Sequence, residues 1–242
     1  MLLEALNHCH SDIGKKYGII IIGGDIMKLY LSSYRVGNET NELLKWKQEH
    51  GNKIFVIPNA VDVFPDGERK TSGIQDKCKD LEQLGFETQI LDLRNFFYHK
   101  EDLSNHIKDV NAFYVIGGNV FVLRTAMKLS GFDEILVDLS KLENYLYSGF
   151  SAGICVLAKD LHGIHLADSY EADPYNYQKT IWEGIGLIDY MPVPHFDTQN
   201  HPESPLMYDV VKYLEENDLK YKTLHDGEVL IEDTTPNKNL KR

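Results

Sequence analysis

The sequence is short of cysteine, of positive charge and of long apolar runs, and each shortage removes a class of function. Its three cysteines, Cys9, Cys78 and Cys155, stand far apart with no CxxC pair, so no disulfide framework is written and the thiols are expected to stay reduced in the cytoplasm. A formal net charge of −12 argues against nucleic acid as a partner, because phosphate binding needs clustered Lys and Arg. Lys238, Lys241 and Arg242 are expected to form only a short, flexible, solvated tail over residues 236–242 and not a basic patch. No run has the apolar length of a membrane span. The early apolar stretch 18–22 is too short for a signal-peptide core, and no small-residue cleavage site follows it. The Gly23-Gly24 pair is not continued into G-x-G-x-x-G, which excludes a dinucleotide loop. His162, His165, Asp168, His195, Asp197 and His201 are metal-ligating types, but HExxH or a comparably compact spacing is missing. Neither a metal nor a cofactor is expected.

What is present suits one large α/β domain. The chain has 242 residues, 43% of them hydrophobic and 26% charged, enough to bury a sizeable core. No internal repeat, low-complexity tract or flexible linker divides it. Residues 23–27 (GGDIM) could be encoded by GGA-GGU-GAU-AUU-AUG, a bacterial ribosome-binding site followed by a start codon. Met27 is therefore the expected start and 1–26 a non-native extension, leaving a single domain over 27–235. Intact-mass measurement of the native protein checks this; a species retaining 1–26 overturns it.

From Met27 onward apolar runs alternate with helical patterns, the mark of βαβ units around a mainly parallel sheet. Strands are expected at 27–31, 53–58, 87–93, 111–116 and 144–150, with late strands at 220–224 and 228–232. Helices are expected at 66–84, 119–129, 133–142, 154–158 and 204–216. The predicted fold is a three-layer α/β arrangement, with helices on both faces of the sheet.

The chemistry concentrates in a few constellations. Gly149-Phe150-Ser151-Ala152-Gly153 lies between an expected strand and an expected helix. That is the setting of a nucleophile elbow, whose sharp turn lifts the serine oxygen above the sheet edge. Ile116-Gly117-Gly118-Asn119 ends another strand and begins a helix, placing backbone N–H groups where an oxyanion can be held. Either motif alone also suits a plain capped turn. A serine needs a base. His195 follows a short apolar run flanked by prolines, at the strand end where open α/β folds gather ligand-binding loops; His162 and His165 are alternatives. Asp168, Glu171, Asp197 and Asp226 all remain as candidates for the carboxylate that orients the base. Cys155, one turn after Ser151, is read as a core residue, and the loop bearing Tyr170, Tyr175 and Tyr177 could line a cleft.

The ordered set of Gly-Gly-Asn (117–119), the elbow (149–153), Pro194-His195-Phe196 and Asp226-Gly227 resembles the peptidase E (aspartyl dipeptidase) family. That family also contains cyanophycinases and has the class I glutamine amidotransferase-like architecture. The resemblance runs over about 27–232. It implies Ser151 as nucleophile, His195 as general base and Asp226 as the third member, where the family has glutamate in a Pro-Glu-Gly stretch. It further implies Gly118 and Ala152 as oxyanion-hole donors, with Asp168 as a reserve acid. The implied activity is hydrolysis of a small peptide through an acyl-enzyme, with no nucleic acid and no membrane as partner; a homodimer is allowed. The family has arginines downstream of its histidine, whereas residues 197–216 hold Lys212, no arginine, and Asp197, Glu203 and Asp209. An aspartyl substrate would also meet the general negative field. Rival readings are a non-peptide amidase or esterase on the same triad, and a non-catalytic binding domain. A glutamine amidotransferase proper would carry cysteine where Ser151 stands.

Overall fold

Residues 27–234 are described by the computed structural model; the expectations for 1–26 and for the tail 236–242 fall outside them. The first strand, β1 (Lys28–Ser32), shows how the layers arise. Successive side chains point to opposite faces, so Leu29 and Leu31 enter one core and Tyr30 the other. The same division recurs in β2 (Lys53–Ile57), β4 (Ala112–Val115) and β5 (Leu146–Phe150). With β3 (Glu87–Ile90) and β8 (Val229–Asp233) they make a six-stranded sheet in the order β3-β2-β4-β5-β1-β8. Every pairing in it is parallel except that of β8, which closes the β1 edge antiparallel.

Helices cover both faces, as the three-layer reading requires. Helices α1 (Thr40–His50) and α2 (Glu68–Gln83) bury Leu43, Trp46, Cys78 and Leu81 against Tyr30, Val56 and Tyr114. On the opposite face lie α3 (Lys100–Ile107), α4 (Val120–Ser130), α5 (Phe132–Leu139), the single turn α6 (Ala152–Cys155) and α7 (Ser204–Glu216). α4 is well delimited. Asn119 Oδ1 accepts the Val122 N–H at 2.9 Å, and Gly131 ends the helix at φ 74.

Several expected bounds change. α1 and α3 occupy stretches assigned no element from the sequence. β3 stops at Ile90, because Leu93–Phe96 winds into a 3-10 turn capped by Asp92. The helix after the elbow is one turn, 152–155, rather than 154–158. The late strand β7 (Tyr221–Thr223) does not join the main sheet. It pairs in parallel with β6 (Met191–Val193) in a separate two-stranded sheet, and that pairing sets the site.

Candidate active site

The parallel strands β4, β5 and β1 all deliver their C-terminal ends to one edge. Ser151 follows β5 directly and adopts φ 51, ψ −123, a region costly for a residue with a side chain. Its surroundings hold it there. The Ser151 carbonyl accepts the N–H groups of Ile154 and Cys155 at 2.9 and 3.1 Å, and the Tyr147 hydroxyl donates to the Gly153 carbonyl at 2.6 Å. Gly153 packs so tightly under β4 that a Cβ there would collide with the Val115 carbonyl oxygen. Because α6 is a single turn, this point offers a negative charge the free Ala152 N–H rather than a long helix dipole.

The Gly117–Gly118–Asn119 loop runs beside this turn: a Cβ on Gly117 would stand 2.8 Å from Ser151 Cβ. The Asn119 N–H donates to the Ala60 carbonyl at 2.8 Å, seating the loop on the 3-10 turn Asn59–Val63. Among the described residues, neither the Gly118 nor the Ala152 N–H makes a hydrogen bond. Both donors are left for a ligand.

His195 arrives from the small sheet. Beyond the β6–β7 register, the Leu224 N–H donates to the Val193 carbonyl at 2.9 Å and the Phe196 N–H to the Leu224 carbonyl at 3.1 Å. Residues 195 and 226 therefore emerge side by side. His195 Nδ1 lies 2.6 Å from Asp226 Oδ1, with the imidazole almost fully buried. A carboxylate only accepts, so Nδ1 carries the proton and Nε2 keeps its lone pair. Ser33, one residue past β1, locks the pair to the main sheet. Its hydroxyl accepts the His195 N–H at 2.8 Å and donates to Asp226 Oδ1 at 2.9 Å. Since Ser32 registers with Phe150, Ser33 and Ser151 leave neighbouring strands at the same level. Tyr34 bridges them, its ring 5.9 Å from both Phe150 and His195. The Ser151 hydroxyl makes no hydrogen bond among the described residues; such contacts tighten when substrate binds.

Burial lowers the His195 pKa below the usual histidine value, and the hydrogen bond donated to Asp226 opposes this only in part. Nε2 faces Glu203 Oε2 at 3.9 Å. His201 stacks on His195. His195, His201 and Asp226 bring three metal-ligating atoms within 4.8 Å of one another, yet the two imidazole planes are 4° from parallel. Lone pairs lying in parallel planes do not converge on one ion.

Asp168 does not pair with His195. Its Oδ2 accepts the Val120 N–H at 2.7 Å, tying the loop after the elbow to the first turn of α4. Burial pushes its carboxyl up to about 7 against that hydrogen bond, with the Glu203 charge adding to the rise. His162 and His165 lie elsewhere, packed with Trp182. Asp197 accepts from the Tyr208 hydroxyl at 2.7 Å. Cys155 is buried, its thiol directed to the Pro192 carbonyl at 3.4 Å. Ser33, Tyr34, the approach of Glu203 to His195 and the stacking role of His201 were missed from sequence; for Ser33 and Tyr34 the available signal was their place just past a strand's C-terminal end.

Comparison with known proteins bears on the family and the fold. Residues 35–235 match the family model for peptidase family S51. The uncharacterized peptidases Lmo0363 of Listeria monocytogenes and Lin0382 of Listeria innocua are each 26% identical over 147 residues. That stretch is 61% of this chain and 67% and 66% of theirs. Among solved structures, a candidate peptidase E from Listeria monocytogenes EGD-e superposes with a TM-score of 0.63 at 21% identity, covering 87% of this chain and 100% of that one. A peptidase from an acI-B1 actinobacterium gives a TM-score of 0.63 at 17% identity, covering 87% and 84%. At those identities the superpositions show the fold.

Proposed function

Because the chain belongs to peptidase family S51, we propose that it is a serine-type peptidase of the peptidase E kind, cleaving small peptides through Ser151, His195 and Asp226. The carrying observation is Ser151 itself, held at φ 51, ψ −123 on a strand-to-helix turn at the sheet's C-terminal edge. His195 Nε2 takes the Ser151 proton as Oγ attacks the scissile carbonyl. The N–H groups of Gly118 and Ala152 hold the oxyanion. His195 then returns the proton to the leaving amine, whose C–N bond breaks. Water, deprotonated by the same nitrogen, releases the acyl group and restores Ser151. Asp226 keeps the proton on Nδ1 and offsets the charge on the imidazolium.

No arginine stands in 197–216, and Glu203 presents a carboxylate to the base. An N-terminal aspartate is thus disfavoured as the acyl residue. The test is hydrolysis of a dipeptide panel that includes Asp-Xaa members, by the protein and its Ser151→Ala variant. Turnover that vanishes in a folded Ser151→Ala variant is expected. Turnover surviving in that variant removes the serine mechanism, and no turnover of any peptide points to a non-peptide amide or ester.

A further inference from the structure

A cavity of about 540 Å³ opens beside the nucleophile turn, within the range of about 300–1,000 Å³ usual for ligand sites. Gly117, whose Cβ position would stand 2.8 Å from Ser151 Cβ, and Phe150, which precedes Ser151 in sequence, both line it. Val61, Ile74 and Ile116 extend an apolar lining outward, and Phe64 stands at the mouth with 58% of its surface exposed. Two lysines reach the rim, but each has its anion: Lys70 is held by Asp62 and, at 2.8 Å, by Asp66, and Lys77 pairs with Asp76 at 3.3 Å. Arg69 is on the exposed outer rim.

One wall of the cavity is α2, which supplies Ile74 and, beside it, Gly73. Glycine inside a helix is less favourable than alanine. Nothing in the backbone asks for it here, since no atom lies within 4 Å of where its Cβ would be and its φ is not positive. The missing side chain widens the cavity at that point.

Resting on the reading of Ser151 as nucleophile, we infer that this cavity is the side-chain subsite of the enzyme, built for an apolar residue adjoining the scissile bond. A leucine or phenylalanine side chain covers the apolar lining and leaves water. A carboxylate would lose hydration against that lining, with both lysines already paired and only the exposed Arg69 left at the rim to meet it.

The test measures kcat/KM on short peptides carrying Leu, Phe, Gly or Asp on either side of the scissile bond. Wild type, Gly73→Leu, Arg69→Gln and Ser151→Ala are compared. Leucine fits the space and favours helix, so Gly73→Leu is expected to fold. At one of the two positions wild type should prefer Leu or Phe over Gly and Asp by at least about tenfold. Gly73→Leu should shrink that ratio about tenfold, chiefly through KM. An unchanged ratio overturns the inference, and so does an Asp preference that Arg69→Gln abolishes. Binding of Leu-Leu and Phe-Leu to Ser151→Ala, with and without Gly73→Leu, separates the subsite from the chemistry. Affinity lowered by Gly73→Leu supports the subsite even without turnover, whereas equal affinity, or none, overturns it.

Discussion

The imidazole of His195 lies flat on that of His201, with centroids 3.8 Å apart and planes 4° from parallel. The Glu203 N–H donates to His201 Nδ1 at 3.3 Å and fixes the second ring, while Tyr34 sets an edge contact 5.9 Å from each. The base is thus gripped on its face as well as at Nδ1. His201→Ala should lower kcat by up to about tenfold, the worth of one aromatic contact. His201→Phe, which keeps the flat surface, should recover most of it. Equal losses in both variants would show that stacking is not what matters.

Asp226→Asn offers Nδ1 an amide instead of a carboxylate. The ring can then take the wrong tautomer, and the imidazolium loses its counter-charge. A fall in kcat of about 10³–10⁴-fold is expected, by analogy with other serine triads, with thermal stability close to wild type. A loss below tenfold would assign the orienting role to another group.

The pH profile follows from the His195 environment. The base works when neutral, so kcat/KM falls as pH drops through its pKa. Burial depresses that pKa, which places the acid limb below the ordinary histidine value of about 6.5. A limb centred above 7 in a pH–rate measurement would contradict the assignment.

Asp168 makes a prediction about stability. Its carboxyl titrates near 3.8 when unfolded and at about 7 when folded. Between those values the native state retains a proton that the unfolded chain has lost, so stability falls as pH rises across that window. Asp168→Asn keeps an acceptor for the Val120 N–H without the charge. Its Tm relative to wild type should therefore climb by a few degrees between pH 4 and pH 8. A constant difference in calorimetry would mean that the carboxyl titrates normally.

Gly118 sits at φ 149, and a Cβ there would strike the Ala60 carbonyl oxygen. Gly118→Ala must shift the loop that carries one oxyanion donor. A kcat loss of about 10²–10³-fold is expected, the effect of removing such a donor. Unaltered kcat in the folded variant would take Gly118 out of the oxyanion hole.

The elbow and the glycine loop were legible because each is a local event, a buried strand turning into a helix within five residues. Helices α1 and α3 were not. They bury only Leu43 and Trp46, and Leu103 and Ile107, too few positions to stand out as a period. From residues alone the carboxylate could not be chosen, since Asp226 meets His195 across 31 residues through a parallel strand pair. Ser33 was further out of reach, binding partners 162 and 193 positions away. Side chains that position others across the fold leave no spacing to read.

The ties made by Ser33 carry a consequence for biosynthesis. One hydroxyl near the beginning of the described chain holds a histidine and an aspartate close to its end. A ribosome-bound chain that has emerged only through the elbow already has its serine but not its proton acceptor. Translation must pass Asp226 before all three groups of the proposed triad exist in one molecule, so under that proposal a growing or prematurely ended chain cannot yet use Ser151 on the proteins around it.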